Sequence, residues 1–269
     1  MYSTHLFDMM GIDNGGEKKD ILFGNGTDNK TKGGAYVYKI GPTRNYTQAK
    51  FYDKDGNELF VKGSKYQFAR VYDFFETSSG LYARISLMNA SDAYEAYIYK
   101  YSSSTDTNGK IIHRFDYLRD YPSTMTAYTH QDTGLNKSKR LSHHMTMADV
   151  TFNGYAYITN GYLYKTKDFN TVTKISAPNG AIISDLLMKD GKLYALGFVK
   201  QGTTTNYKNY VWTIDSSDKF TQVREFTSEN CYALSFDMND EFFYVGMGGL
   251  STYSNVGNVL RLAINPVNN

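Results

Sequence analysis

The sequence is short of the residues on which several common classes of protein depend. Among its 269 residues are one cysteine, one tryptophan and four prolines. The single cysteine, Cys231, excludes an intramolecular disulfide and a zinc site built from cysteines, so we expect an inert, partly buried thiol. No apolar run reaches the roughly 18 residues of a membrane span, and no charged and then apolar leader opens the sequence, which predicts neither a membrane span nor a signal peptide.

The sequence also lacks an excess of charge and the usual catalytic motifs. Its 29 basic and 27 acidic residues give a net charge of +2, whereas nucleic-acid binders are strongly basic, so no nucleic-acid partner is predicted. No phosphate-binding glycine loop and no serine-hydrolase or zinc-protease motif occurs. His143 and His144, with His130 and His113 elsewhere, form the one histidine group, but adjacent strand residues face opposite sides. We therefore predict no metal and no cofactor.

Aromatic residues are abundant, and they indicate β-structure. The sequence has 25 tyrosines and 16 phenylalanines, which favour pleated, half-buried positions. Residues 35–40 and 94–100 alternate with a period of two, as strands do, and show no helical stripe. These patterns predict an all-β protein.

A degenerate repeat of about 40–50 residues runs along the chain. Its clearest copy has an apolar strand from Ile182, a tight turn, the strand KLYALGFVK, a polar loop and two further strands. An earlier copy contains Asn153-Gly154 and Asn160-Gly161, the dipeptide most typical of hairpin turns. The repeats are predicted at residues 4–60, 66–117, 146–177, 181–227 and 231–265, with a long loop at 118–145.

This repetition predicts one domain over residues 1–269, a β-propeller of about five blades, each a four-stranded antiparallel sheet. A two-sheet sandwich or jelly roll also contains many short strands and remains the alternative. The last repeat lacks an outer strand after Ala263 and Ile264, so closure would use a segment from elsewhere.

Aspartates near the first strand of each repeat are the candidates for catalysis. Glycosidases use two carboxylates that face each other across a cleft. The offset of each aspartate from the following hairpin differs between repeats, so they share no register, which favours turn and strand-end roles. Enzymatic activity is thus undecided and less favoured; if the protein is an enzyme, its candidates are Asp8, Asp73, Asp149, Asp185 and Asp237.

The loops between second and third strands are rich in Asn, Thr, Ser and Tyr. On one rim of a propeller they would offer groups that hydrogen-bond hydroxyls and rings that stack on sugars. The same residue types are common in turns of any function. The predicted glycan-binding residues are Asn206, Tyr207, Tyr253, Asn255, Asn160 and Asp92. In the long loop, Lys137, Lys139 and Arg140 are the candidates for binding an anionic group.

Tyr-, Asn- and Lys-rich segments such as KLYALGFVK, GYLYKTKD and FFYVGMGG resemble the five-bladed propeller domain of receptor-binding proteins from the tails of phages that infect Gram-positive bacteria, notably staphylococci. The likeness covers most of the chain and rests on repeat character. It implies a virion tail protein, assembled in the host cytoplasm, that binds a cell-wall glycopolymer such as teichoic acid. It also implies contacts with other tail proteins and a homotrimer, although the sequence has no stem heptads.

Three functions therefore stand side by side. The preferred one is a non-catalytic domain that binds a bacterial surface glycan. The alternative is a glycoside hydrolase or lyase with carboxylates in the central cleft. A protein-interaction scaffold would have apolar rim loops, which the sequence does not show.

Overall fold

The computed structural model describes residues 4–12, 20–27, 34–39, 45–59, 66–89, 94–125, 148–202, 205–249 and 258–264. Within these stretches the chain forms strands and one single-turn 3-10 helix, Pro178–Gly180. No helix among them is long and apolar enough to cross a bilayer. The chain divides into two compact units, Met1–Ser123 and Thr124–Asn269.

The first unit contains two sheets, which we call A and B. Sheet A has the order β1-β2-β3-β4, and sheet B the order β5-β9-β8-β7-β6 with β5 parallel to β9. The strands are β1 (Thr4–Ile12), β2 (Asp20–Thr27), β3 (Gly34–Lys39), β4 (Asn45–Gln48), β5 (Lys50–Tyr52), β6 (Tyr66–Thr77), β7 (Gly80–Asn89), β8 (Tyr94–Thr105) and β9 (Ile111–Asp120).

The second unit contains three sheets, C, D and E, each an antiparallel meander. Their orders are β10-β11-β12-β13, β14-β15-β16-β17 and β18-β19-β20. The strands are β10 (Ala148–Phe152), β11 (Tyr155–Thr159), β12 (Leu163–Thr166), β13 (Val172–Ile175), β14 (Ile182–Lys189), β15 (Lys192–Lys200), β16 (Asn206–Ile214), β17 (Phe220–Glu229), β18 (Cys231–Met238), β19 (Phe242–Gly249) and β20 (Asn258–Ala263).

The all-β class and the four-stranded antiparallel sheets are confirmed, the latter in sheets A, C and D. Sheet B adds a parallel fifth strand, and sheet E has three strands in the described part of the chain, as the missing outer strand led us to expect. Strand β9 continues to Asp120, so the predicted loop 118–145 begins too early. Its residues 126–145 lie outside the described ranges. Closure of the sheets into one propeller domain remains a prediction.

Within each unit, the strands that begin the antiparallel meanders of consecutive sheets lie side by side; in sheet B this strand is β6. Strand β1 packs against β6 in the first unit, and β10 against β14 and β14 against β18 in the second. In a propeller, where the meanders are arranged radially, the first strands of neighbouring blades would lie side by side in the same way.

The core is built between neighbouring sheets. In sheet D, Leu193 and Ala195 belong to the cluster shared with sheet C, whereas Leu196 belongs to the cluster shared with sheet E. Successive strand residues face opposite sides, so sheet D is covered on both faces. That explains why KLYALGFVK is a nearly continuous apolar run rather than an alternating one.

Candidate functional site

A polar cavity of about 190 Å³ lies in the first unit, between the ends of two hairpins. One wall is the end of the β1–β2 hairpin, where Ile12 pairs with Asp20. The other wall is the end of the β8–β9 hairpin, which contributes Tyr101, Ser103, Ser104, Thr105, Ile111 and His113.

Strand alternation and a tight turn present the β8–β9 residues to the cavity. Tyr101 and Ser103 are two residues apart and so face the same side of the strand, and Ser103 pairs with His113 across the ladder. The hairpin is closed by Asp106, whose Oδ1 accepts the backbone N–H of Asn108 and of Lys110, each at 2.9 Å. This aspartate-centred turn fixes the register that places the hydroxyls opposite the imidazole.

Tyr101 and His113 form the centre of the site. The hydroxyl of Tyr101 lies 2.7 Å from Nδ1 of His113, and their near-parallel rings have centroids 6.1 Å apart. His113 is only 4% exposed. Burial raises the pKa of Tyr101, a side-chain hydrogen bond with Ser103 opposes the rise, and the charge of Asp20 adds to it. The hydroxyl is therefore protonated at neutral pH.

The lining combines hydrogen-bonding groups with small apolar surfaces. Asp20 is 2% exposed and supplies a carboxylate, the β8 residues supply hydroxyls, and Ile12 and Ile111 supply apolar contact. At about 190 Å³ the cavity is smaller than the roughly 300–1,000 Å³ of a drug-sized pocket. It has room for one small ring or polyol unit, and a longer ligand would extend into solvent.

The sequence does not reveal this cavity. His113 was predicted only as a member of a histidine group that would not bind a metal, and no role was predicted for Asp20, Tyr101 or Ser103. The available signal was the hydroxyl run Tyr101–Thr105 in a strand that is followed, after one turn, by a strand with a lone histidine. Among the described residues, no group of three or more His, Cys, Asp or Glu side chains could hold a metal ion.

Three of the candidate catalytic aspartates share one structural position. Asp8, Asp73 and Asp185 each follow directly after a β-bulge in the strand that begins the antiparallel meander of their sheet (β1, β6 and β14), and Ser235 holds that position in sheet E. Asp149 lies in a first strand whose pairing has no bulge.

The expectation that these aspartates share no register was therefore wrong for three of them. The bulges precede the aspartates and so do not alter the count to the following hairpin: Asp73 lies eleven residues before its cross-strand partner Arg84 and Asp185 eleven before Leu196, whereas Asp8 lies sixteen before Gly24. Alignment on the aspartates themselves exposes a common pattern, an apolar residue, any residue, Asp and two apolar residues, in LFDMM, VYDFF and ISDLL.

Asp73 is engaged in a buried ion pair. Its Oδ2 lies 2.7 Å from Nη2 of Arg84, and the two side chains are 12% and 2% exposed. The guanidinium carbon of Arg84 also lies 5.4 Å from the ring centroid of Tyr72 and 5.5 Å from that of Tyr121. These contacts assign Asp73 a structural role as the counter-ion of Arg84.

Asp185 connects the first strands of sheets D and E. Its Oδ2 accepts the backbone N–H of Phe236 at 2.8 Å, and its Oδ1 accepts that of Leu186 at 2.9 Å. Burial raises the pKa of Asp185 to about 6 although these hydrogen bonds lower it, and the charge of Asp237 adds a smaller increase. Asp237 itself is exposed and accepts the N–H of Met238 at 2.8 Å. Asp149 is half-buried, and for Asp8 only the backbone pairing is described.

Tyr207 cannot stack on a sugar, which corrects its prediction as a binding residue. It belongs to strand β16 rather than to the middle of a loop, and it is 0% exposed. Its ring packs against Phe198 at 5.8 Å and Tyr232 at 5.4 Å between centroids. Strand alternation directs it into the core, and the polar composition around it concealed this.

Of the other predicted glycan-binding residues, one is exposed, one is buried and three lie outside the described residues. Asn206 is exposed at the start of β16. Asn160 is 5% exposed, and its Nδ2 donates to the carbonyl of Met125 at 3.3 Å, so it is a buried connection rather than a rim contact. Outside the described residues lie Asp92, Tyr253, Asn255, Lys137, Lys139 and Arg140.

Comparison with known proteins identifies no family. No family model and no curated protein sequence matches the chain. Among solved structures, a levansucrase variant from B. megaterium superimposes with a TM-score of 0.37 and 10% identity, over 95% of this chain and 81% of the levansucrase. A likeness at this level carries no argument about activity or blade number.

Proposed function

We propose that this chain is a non-catalytic glycan-binding domain that holds one sugar or polyol unit in the cavity of the first unit. The lining of that cavity is the observation that carries the proposal. Hydroxyls of Ser103 and Thr105, the Tyr101–His113 pair and the carboxylate of Asp20 surround a space for one ring. Alternating donors and acceptors beside apolar carbon are what a hydroxyl-rich ligand requires.

A single site of this size binds weakly. A cavity for one ring offers few contacts. Each ligand hydroxyl exchanges a hydrogen bond to water for one to the protein, so the net gain in binding free energy is about 1 kcal/mol per hydrogen bond. Useful attachment would come from several copies that engage one polymer at once. Weak repeated binding of this kind suits an adhesin.

We further propose that the five sheets are the blades of one propeller and that its setting is the tail of a phage virion. Side-by-side first strands within each unit and four-stranded meanders support the propeller. The resemblance of the repeats to phage receptor-binding domains supports a Gram-positive wall glycopolymer as partner, with a homotrimer and other tail proteins as further partners.

Glycoside hydrolysis is the second candidate, and one observation favours it. A carboxyl group with its pKa raised to about 6, as in Asp185, can act as a general acid near neutral pH. Both oxygens of Asp185, however, accept backbone N–H groups, a role that links strands. The non-catalytic proposal is therefore preferred.

Binding to bacterial walls tests the proposal. The purified chain is incubated with Gram-positive cell walls, intact or chemically stripped of glycopolymer, and bound protein and released sugar are measured in the same tubes. We expect binding to intact walls only, without sugar release. Release of sugar that Asp185→Asn abolishes would establish the hydrolase instead.

A pair of variants tests the location of the site. Ser103→Leu fills the cavity with an apolar side chain, whereas Ser102→Leu makes the same change at a neighbouring exposed residue that does not line it. We expect Ser103→Leu to abolish wall binding and Ser102→Leu to retain it. Equal binding by both variants would refute the cavity as the site.

A further inference from the structure

Sheet E has one covered face and one exposed face. Val245 belongs to the covered face and to the cluster shared with sheet D. The alternate residues point to the other side, where Tyr244 and Val259 are 36% and 72% exposed. Asp237 and Arg261 are also exposed on that side. Sheet D is covered on both faces, so this exposed side of sheet E, which we call the open face, is a surface that could receive a partner.

One row of residues across the open face carries opposite charges at its two ends. Asp237 in β18 pairs with Tyr244 in β19, and Tyr244 pairs with Arg261 in β20, so the three side chains lie on the same side of the sheet. A strand spacing of about 4.8 Å separates the two charged positions by roughly 10 Å, with the tyrosine midway. The guanidinium carbon of Arg261 lies 4.5 Å from the ring centroid of Phe242, which orients that side chain. The row therefore has a negative end, an aromatic centre and a positive end.

Such a row is complementary to a second copy of itself. A two-fold axis that runs parallel to β19 through Tyr244 turns the face over and exchanges the two ends of the row. Asp237 of each copy then faces Arg261 of the other, which is the self-complementarity that an isologous interface requires. We infer that the open face binds the open face of a second copy, forming a symmetric dimer with two Asp237–Arg261 ion pairs on either side of Tyr244.

This inference goes beyond glycan binding and does not depend on it. A dimer would carry two cavities and could engage one polymer at two points. The homotrimer that the phage resemblance implies would need a different surface, because an isologous contact closes with two copies.

The contact is small, so the dimer is weak. Three strands of about five residues each span roughly 14 Å by 17 Å. That area is on the order of 500 Å² over both copies, whereas stable complexes bury about 1,200–2,000 Å². We therefore expect dimers only above about 100 µM, and fewer of them in about 0.5 M salt, which screens exposed charges.

Sedimentation velocity on the unaltered chain and on charge-reversed variants tests the inference. Asp237→Arg and Arg261→Asp each place like charges opposite each other in both pairs, and the double variant restores opposite charges with their positions exchanged. Asp55→Arg makes the same reversal at an exposed residue of the first unit. We expect each single variant to raise the dissociation constant of the dimer by about tenfold or more, and the double variant and Asp55→Arg to stay within about threefold of the original.

Each contrary outcome has one meaning. A chain that stays monomeric up to about 1 mM, or that forms trimers, would overturn the inference. Association that the double variant does not restore would show that these two charges do not meet. Lower melting temperatures of the single variants without any change in association would place the charges in contacts within one copy and would also overturn it. Binding to cell walls by a strictly monomeric chain would overturn the dimer and leave the proposed function intact.

Discussion

Asp73 and Arg84 provide the sharpest test of whether the aspartates after the bulges are structural. Their side chains are 12% and 2% exposed, with 2.7 Å between Oδ2 and Nη2. Asp73→Asn keeps the shape of the side chain but leaves the guanidinium buried without a counter-ion. Removal of one partner of a buried pair costs about 3–5 kcal/mol.

The companion variants complete a double-mutant cycle. Arg84→Met leaves the carboxylate of Asp73 buried and removes the ring contacts of Arg84 with Tyr72 and Tyr121. Each of those contacts stabilises by about 0.5–2 kcal/mol. Because the double variant leaves no buried charge, it costs less than the sum of the two single variants by about 2 kcal/mol or more.

Urea denaturation followed by far-UV circular dichroism measures the cycle. With a slope of about 1–3 kcal/mol per molar urea, a loss of 3 kcal/mol lowers the midpoint by roughly 1–3 M. Trp212, the single tryptophan, lies in the second unit, so its fluorescence follows that unit separately. Asp55→Asn, at an exposed position, controls for the change in net charge. Additive costs below about 1 kcal/mol would refute the buried-pair reasoning.

Three further predictions concern other contacts. The raised pKa of Asp185, about 6, means that the fold favours its protonated form. That stabilisation, about 2–3 kcal/mol, is complete below pH 4 and is lost as the pH rises through about 6. We expect the melting temperature of Asp185→Asn to lack this pH dependence. The same pH dependence in the variant and the original protein would contradict the prediction. Gly24→Ala would place its Cβ 2.7 Å from the carbonyl oxygen of Val71, so we expect the free energy of unfolding, measured by urea denaturation, to fall by about 1–3 kcal/mol. An unchanged free energy of unfolding would show that the backbones at Gly24 and Val71 lie farther apart than this. Asp218→Ala removes a carboxylate that accepts from Tyr157 at 2.6 Å and Lys165 at 2.9 Å, and we expect a loss of about 1–3 kcal/mol, measured by calorimetry and refuted by an unchanged melting temperature.

Local patterns predicted the strands and several turns well because those depend on near neighbours. The turn Asn153-Gly154 has φ values of 51° and 77°, the left-handed backbone that an Asn-Gly hairpin turn requires. Asn160-Gly161 also ends a strand, but there the carbonyl of Gly161 accepts the N–H of Ile183 in the next sheet. The dipeptide signals a turn and does not reveal this contact between sheets.

The candidate site was beyond local patterns because it joins residues that are far apart in the sequence. Asp20 and His113 meet only through the packing of sheet A against sheet B, which no short motif encodes. For Tyr207 the local pattern was misleading. The polar residues around it suggested a loop, whereas its pairing with Ser228 places it in a strand and its side chain is buried.

Occupation of the cavity by a glycan is the central claim, and the imidazole of His113 reports on it directly. The proton signals of the five histidines are followed by NMR during addition of wall-derived glycan fragments, with the His113 signal assigned from its absence in His113→Asn. Binding in the cavity predicts a saturable shift of the His113 signal that Ser103→Leu abolishes and Ser102→Leu preserves. A His113 signal that stays unchanged while the same fragments demonstrably bind the protein would contradict the cavity as the glycan site.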